Sequence, residues 1–83
     1  MKKNIIVFTA ASCIFCKKQK EWLDEHSIDY LEKKVEVEKH KQELLERKVL
    51  GVPYTVIIFE GEQKEVTVAG FNPNKLESLL LED

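Results

Sequence analysis

The chain has 83 residues, enough for one small domain (1–83) with one modest core and not for two. Hydrophobic residues make up 43% and charged residues of both signs 34%, which excludes a disordered polyelectrolyte; the net charge of −2 leaves no basic excess to neutralise nucleic-acid phosphates. No run approaches the roughly 18–20 apolar residues of a membrane span.

Read in chain order, "KNIIVFTA" is a β-branched and aromatic run, predicted as a strand buried on both faces. The opening "MKKNIIVFTAASC" also has the outline of a bacterial lipoprotein signal, with two lysines, an apolar run, small residues and then Cys13. That run, Ile5 to Ala11, is short for an export segment and contains Thr9, and cleavage before Cys13 would remove the best strand candidate. It is therefore read as a strand, and the chain as cytoplasmic. "CIFCKKQKEWLDEHS" has good helix formers and no internal Gly or Pro, with Ser12 as its expected cap. "IDYLEKKVEV" is less apolar and predicts an edge strand guarded by lysine. "EKHKQELLERKV" predicts a charged helix with a thin stripe of Leu44, Leu45 and Val49, stopped by Gly51. "PYTVIIFE" predicts a third strand with Pro53 at its start, "EGEQ" a hairpin turn at Gly61, and "KEVTVAG" an alternating fourth strand. "NPNKLESLLLED" predicts a last helix capped by Asn72, with Pro73 as its first residue and Leu76, Leu79 and Leu80 as its buried stripe. The first two strands should be parallel across a right-handed crossover, and the hairpin adds antiparallel strands. The fold class is α/β, a mixed four-stranded sheet with helices on both faces.

Cys13 and Cys16 are the only two cysteines. Their spacing admits a redox pair, half of a metal site, or two small buried residues. Within the chain, only His26 and His40 could complete a zinc site. His26 lies turns away on the same predicted helix, and His40 sits on a charged one, so no metal ligands are assigned. An iron–sulfur cluster shared between two chains is the alternative use of the same thiols. At a strand-to-helix junction in an α/β pattern, the redox reading is preferred.

Three segments in order, "CIFCKKQ" after the first strand, "GVPYTVI" opening the third and "AGFNPNKLESLL" after the fourth, resemble the glutaredoxin family of the thioredoxin superfamily. The resemblance implies a β-α-β-α-β-β-α chain with sheet order 2-1-3-4 and three helices. It also implies a dithiol–disulfide oxidoreductase, an electron carrier, with Cys13 as nucleophile, Cys16 as resolving thiol and Pro53 as a cis-proline facing them. Two positions depart from the family's usual pattern. Ala10 stands where many members carry a lysine for glutathione, and "AGFNPN" has one glycine and no carboxylate where many carry Gly-Gly and then Asp. "GFNPN" is closer to the glutaredoxin-like redoxins that serve ribonucleotide reductase and draw electrons from thioredoxin reductase. The expectation is a monomer with no tightly bound cofactor. Glutathione would be a weak co-substrate, a disulfide-bearing protein such as ribonucleotide reductase the substrate, and thioredoxin reductase or glutathione the reductant.

The residues themselves suit this chemistry. Thiol exchange needs a thiolate, and a helix N-terminus with nearby cations lowers a cysteine's pKa. Cys13 would sit at such a terminus, with Lys17 and Lys18 one turn on and Cys16 one turn inside. Substrate contacts are expected from Phe15, Lys17, Val52, Pro53, Gly70, Phe71 and Asn72. A cis bond at Pro53 would present the Val52 backbone for strand-like pairing. Asn72 is first of all a helix cap.

Overall fold

Alternation along β-branched strands decides what lies on each side of the sheet. The computed structural model describes residues 3–81. In chain order these form β1 (Lys3–Thr9), α1 (Ile14–Glu25), β2 (Leu31–Lys34), α2 (Glu38–Glu46), β3 (Tyr54–Phe59), β4 (Lys64–Ala69) and α3 (Pro73–Leu80). The four strands make one sheet in the order β2-β1-β3-β4, parallel between β1 and β2 and antiparallel elsewhere. Element order and mixed character are those expected from the sequence pattern, and the strand order is the one the family resemblance implies.

On β1 and β3, successive side chains point to opposite faces. Ile5, Val7 and Ile57, joined by Val68 of β4, pack against Leu23 of α1 and Leu76 of α3 in the larger core. Phe8 and Val56 point the other way and meet Leu44 of α2 in a smaller one. Both cores close on the two central strands, so β1 carries the loop that leads to Cys13 out of the most buried part of the molecule.

Three details differ from the sequence reading. The cap of α1 is Cys13 and not Ser12. α2 ends at Glu46, and the chain turns at Lys48 with φ 62°, ahead of Gly51. There Val49 N–H donates to Leu44 O and Lys48 N–H to Leu45 O, the paired bonds of a Schellman stop. α1 ends the same way, with Ser27 at φ 55° and bonds from Ile28 to Leu23 and from Ser27 to Asp24. In both, the residue after the turn packs into the same core as the one its N–H reaches, Ile28 with Leu23 and Val49 with Leu44. That apolar contact stands in for glycine's conformational ease. Finally, β2 is four residues long: Leu31–Lys34 pair with Ile6–Thr9 of β1, and the ladder closes with Val35 N–H donating to Thr9 O at 2.8 Å. The last helix's expected final residues, Glu82 and Asp83, lie outside the described residues.

Registers Phe8↔Tyr54, Tyr54↔Ala69 and Thr9↔Lys34 bring the ends of β1, β2 and β4 and the start of β3 to one edge of the sheet. Every loop bearing a candidate site residue leaves from that edge.

Candidate active site

β1 ends at Thr9, and three residues of loop separate it from Cys13. The loop is held at both ends. Cys13 N–H donates to Ala10 O at 3.2 Å, and Ala11 N–H donates to the Glu36 carboxylate at 2.7 Å. The bond from Ala11 holds the Glu36 carboxyl below the ordinary carboxylate value. Cys13 is extended (φ −91°, ψ 110°), and its Sγ accepts the N–H of Cys16 at 3.1 Å. A helix N-terminus has unsatisfied N–H groups that need an acceptor. Here the acceptor is the sulfur of the candidate nucleophile, so helix formation and sulfur placement are the same event. Negative charge on that sulfur is stabilised by the donated N–H and by the positive end of α1.

Cys13 and Cys16 are joined as a disulfide with their Cα atoms 5.2 Å apart. Cys13 is half-buried, whereas Cys16 is 1% exposed. The Cys13 sulfur lies 3.7 Å from the Val52 carbonyl oxygen, and the Val52–Pro53 bond is cis with Pro53 buried. Gly70 takes φ 74°, a conformation that favours glycine, and its N–H donates to Pro53 O at 2.9 Å. Phe15 is exposed, with the Lys18 ammonium 5.5 Å above its ring. Lys17 is exposed and shares a cavity of about 390 Å³ with Cys13, Ala10, Lys20, Lys34 and Glu32. Phe71 is half-buried against the α1/α3 core, so its ring belongs partly to the fold. Asn72 caps α3, its side chain accepting the Lys75 N–H at 3.1 Å. Cys13 thus meets the Val52 carbonyl directly, Pro53 follows it across the cis bond and is braced by Gly70, Lys17 lines the cavity beside Cys13, and Asn72 has a structural task of its own.

Two polar groups beneath the site escaped the sequence reading. Thr9 and Lys20 both donate to the same Glu32 oxygen, at 2.7 and 2.8 Å. Burial raises the Glu32 pKa, but the bonds from Lys20 and Thr9 outweigh it and hold the carboxyl below its ordinary value. The bond to Glu32 in turn raises the pKa of Lys20 against its own partial burial. Gln19 is fully buried one turn beyond Cys16. Its Nε2 donates to Thr55 Oγ1, and its Oε1 has no hydrogen-bond partner. The signal was the spacing of Cys16, Gln19 and Leu23, which marks one buried face of α1.

Among the described residues no group of three or more His, Cys, Asp or Glu side chains is placed to hold a metal. His26 caps the far end of α1, about 20 Å from Cys13 by helix rise. His40 makes a contact from Nδ1 to the Lys34 carbonyl oxygen.

A family model described as Glutaredoxin matches residues 5–62. A curated relative, the global transcriptional regulator Spx 2 of Bacillus cereus, is 55% identical over 31 residues, 37% of this chain and 24% of that protein. The chain spans about a quarter of the length of the curated relatives it matches. Among solved structures, the thioredoxin-like protein BC3987 is 29% identical with a TM-score of 0.69, over 93% of this chain and 100% of that one. The glutaredoxin-like protein NrdH-redoxin from Escherichia coli has a TM-score of 0.72 at 21% identity, over 92% of this chain and 93% of that one, a likeness of fold.

Proposed function

This chain belongs to the glutaredoxin family, and from that premise we propose that it is a thiol–disulfide oxidoreductase that reduces disulfides of partner proteins through Cys13 and Cys16. The observation that carries this reading is the asymmetry of the pair. The Cys13 sulfur is half-buried and capped by the Cys16 N–H, while the Cys16 sulfur lies beneath it, out of solvent.

In the reduced protein the Cys13 thiolate attacks a partner disulfide, and one partner sulfur leaves as a thiolate. Cys16 then gives up its proton and attacks the Cys13 sulfur of the mixed disulfide. The second partner thiolate leaves, and the Cys13–Cys16 disulfide forms. The partner gains two electrons, and a reductant must return two to this protein. The Val52 carbonyl next to Cys13 offers backbone for an extended partner segment to pair with.

Two features favour thioredoxin reductase over glutathione as the electron source. Affinity for glutathione's carboxylates rests on charge-assisted hydrogen bonds. Ala10 brings no cation from the loop before Cys13, so that with Lys20 paired to Glu32 the cavity's cations are Lys17 and Lys34, and Asn72, occupied as a cap, brings no carboxylate to the other end. Each missing charged contact costs on the order of 1.5–3 kcal/mol. Ribonucleotide reductase is the partner class suggested by "GFNPN". Such a carrier works as a monomer in a reducing, cytoplasmic compartment.

The test is insulin-disulfide reduction with NADPH and either thioredoxin reductase or glutathione plus glutathione reductase. The thioredoxin reductase arm should run faster. Cys13→Ser should abolish turnover, and Cys16→Ser should accumulate a mixed disulfide visible by mass spectrometry. A Cys13→Ser protein that still turns over would overturn the assignment of roles. Efficient turnover from glutathione alone would overturn the choice of donor.

A further inference from the structure

The loop that presents Cys13 has little of its own to hold it. Ala10 and Ala11 carry no polar side chain, and Ala11 and Ser12 are exposed. The disulfide ties the end of this loop to α1, but that link is open whenever the protein is reduced and ready to attack. In that state the sulfur is kept at the mouth of α1 by hydrogen bonds.

The connection between β2 and α2 supplies two of them. Val35 N–H donates to Thr9 O at 2.8 Å where the loop begins, and the Glu36 carboxylate accepts Ala11 N–H at 2.7 Å within it. The same carboxylate is engaged by its own backbone N–H, so two donors fix it. Cys13 N–H donates back to Ala10 O at 3.2 Å, closing a turn over Ala11 and Ser12, and Cys13 Sγ accepts the Cys16 N–H at 3.1 Å. Glu36 thus grips the turn whose far end carries the sulfur. The charged groups that share a cavity with Cys13 are Lys17, Lys20, Lys34 and Glu32, and Glu36 is not among them. Its carboxylate is exposed, so water and salt screen its charge, and its route to the sulfur is the backbone.

We infer that Glu36 is a positioning residue for the proposed reaction: through Ala11 N–H it holds the Ala10–Cys13 turn, and so keeps the reduced Cys13 sulfur on the Cys16 N–H and at the positive end of α1. The inference rests on the reading of Cys13 as nucleophile. Without the tether the turn samples other arrangements, and the sulfur spends less time at the helix terminus that stabilises its thiolate. The thiol then titrates higher and reacts more slowly. A direct charge effect has the opposite sign, because removing a nearby carboxylate favours the thiolate.

Two variants separate these effects. Glu36→Ala removes the acceptor, whereas Glu36→Gln keeps an oxygen for Ala11 N–H and loses the charge. The reduced wild type and both variants are alkylated with iodoacetamide across pH, and modification of each cysteine is followed by peptide mass spectrometry. Glu36→Ala should move the midpoint of the Cys13 rate profile upward and slow alkylation below that midpoint by up to about tenfold, the size of one net hydrogen bond. Glu36→Gln should stay close to the wild type. An unchanged profile in Glu36→Ala, or a lower midpoint in both variants, would overturn the inference. Faster modification of the buried Cys16 in Glu36→Ala would mean a general loosening of the site and would overturn it as well. Insulin reduction by the wild type is measured alongside. Its absence would overturn the oxidoreductase reading, whereas an active wild type with an unchanged Glu36→Ala profile would overturn the positioning role alone.

Discussion

The two faces of the sheet are built on different principles. On one, α1 and α3 bury Ile5, Val7, Ile57 and Val68 under Leu23 and Leu76, leaving each at most 7% exposed. On the other, the nine-residue α2 supplies one buried side chain, Leu44, and is tied down by charge. Lys33 of β2 reaches Glu43 at 2.7 Å, and Arg47 just past the helix reaches Glu65 of β4 at 2.7 Å. Surface ion pairs contribute about 0–1 kcal/mol each, far less than a buried leucine. The thick face thus fixes the helix that carries the redox pair. The thin face leaves apolar surface exposed next to Val52. Rigidity is greatest where the two sulfur atoms must be placed.

The comparison is most exposed to failure in stability. Leu76→Ala or Leu23→Ala should each cost about 2–5 kcal/mol, as large-to-small changes in a packed core do. Leu45→Ala, on the half-covered face, should cost less than about 1 kcal/mol, since little area is lost from contact. Urea midpoints at constant m-value measure both. A Leu45→Ala cost equal to that of Leu76→Ala would mean that the α2 side is as tightly built as the other, and the contrast would be lost.

A second prediction concerns the polar layer where the thick face reaches the active site. Gln19 and Thr55 are fully buried against each other, and Gln19 Oε1 already lacks a partner. Thr55→Val should cost about 1–3 kcal/mol, because it leaves the Gln19 amide with a second unmet group. Adding Gln19→Leu should recover most of that loss, since removing both partners together is nearly neutral. A double-mutant cycle in urea gives the coupling. If Gln19→Leu adds a further loss instead of recovering stability, the pair is integral to the packing of α1.

How much of this was legible in the sequence follows from the range of the interactions. The apolar runs of β1 and β3, the alternation of β4 and the Asn72–Pro73 start of α3 are local patterns, and each appears where its pattern lies. The cysteine pair was visible through spacing and position after β1. The cap was misplaced by one residue because Ser12 is the stronger cap by type, whereas the chain uses the Cys13 sulfur. The end of α2 at Lys48 was hidden because positive φ there is supported by the apolar contact of Val49, a tertiary fact, whereas the segment read as α1 already stopped at Ser27. Gln19 was lost among lysines that read as solvated surface. Thr9 and Glu32 meet only because β1 and β2 are neighbours.

The smallest effect concerns the Thr9–Glu32–Lys20 group, and its sign can be worked out. Bonds from Lys20 and Thr9 outweigh burial and leave the Glu32 pKa below its ordinary value of 4.5. A depressed carboxylate contributes stability that is present above its unfolded pKa and is lost as pH falls through the folded one. Lys20 is raised above its ordinary value of 10.5, first by the bond to Glu32. Its contribution is complete below the unfolded pKa and is lost as pH rises through the folded one. The two describe one interaction from its two ends, so the gain should be level between those ordinary values and fade on either side. Lys20 and Glu32 keep 33% and 24% of their side-chain surface, so solvent screens the pair and the gain stays below about 1 kcal/mol. Glu32→Gln retains an oxygen for Thr9 and removes only the charge. Subtracting its urea-derived stability from that of the wild type across pH should give a low plateau with both edges sloping down. A difference that persists well below pH 4.5, where both states of Glu32 take up a proton, would assign the effect to packing of the side chain. A plateau several-fold higher would place electrostatics beside leucine burial as a source of stability on the thick face, and the contrast between the two sides of the sheet would narrow.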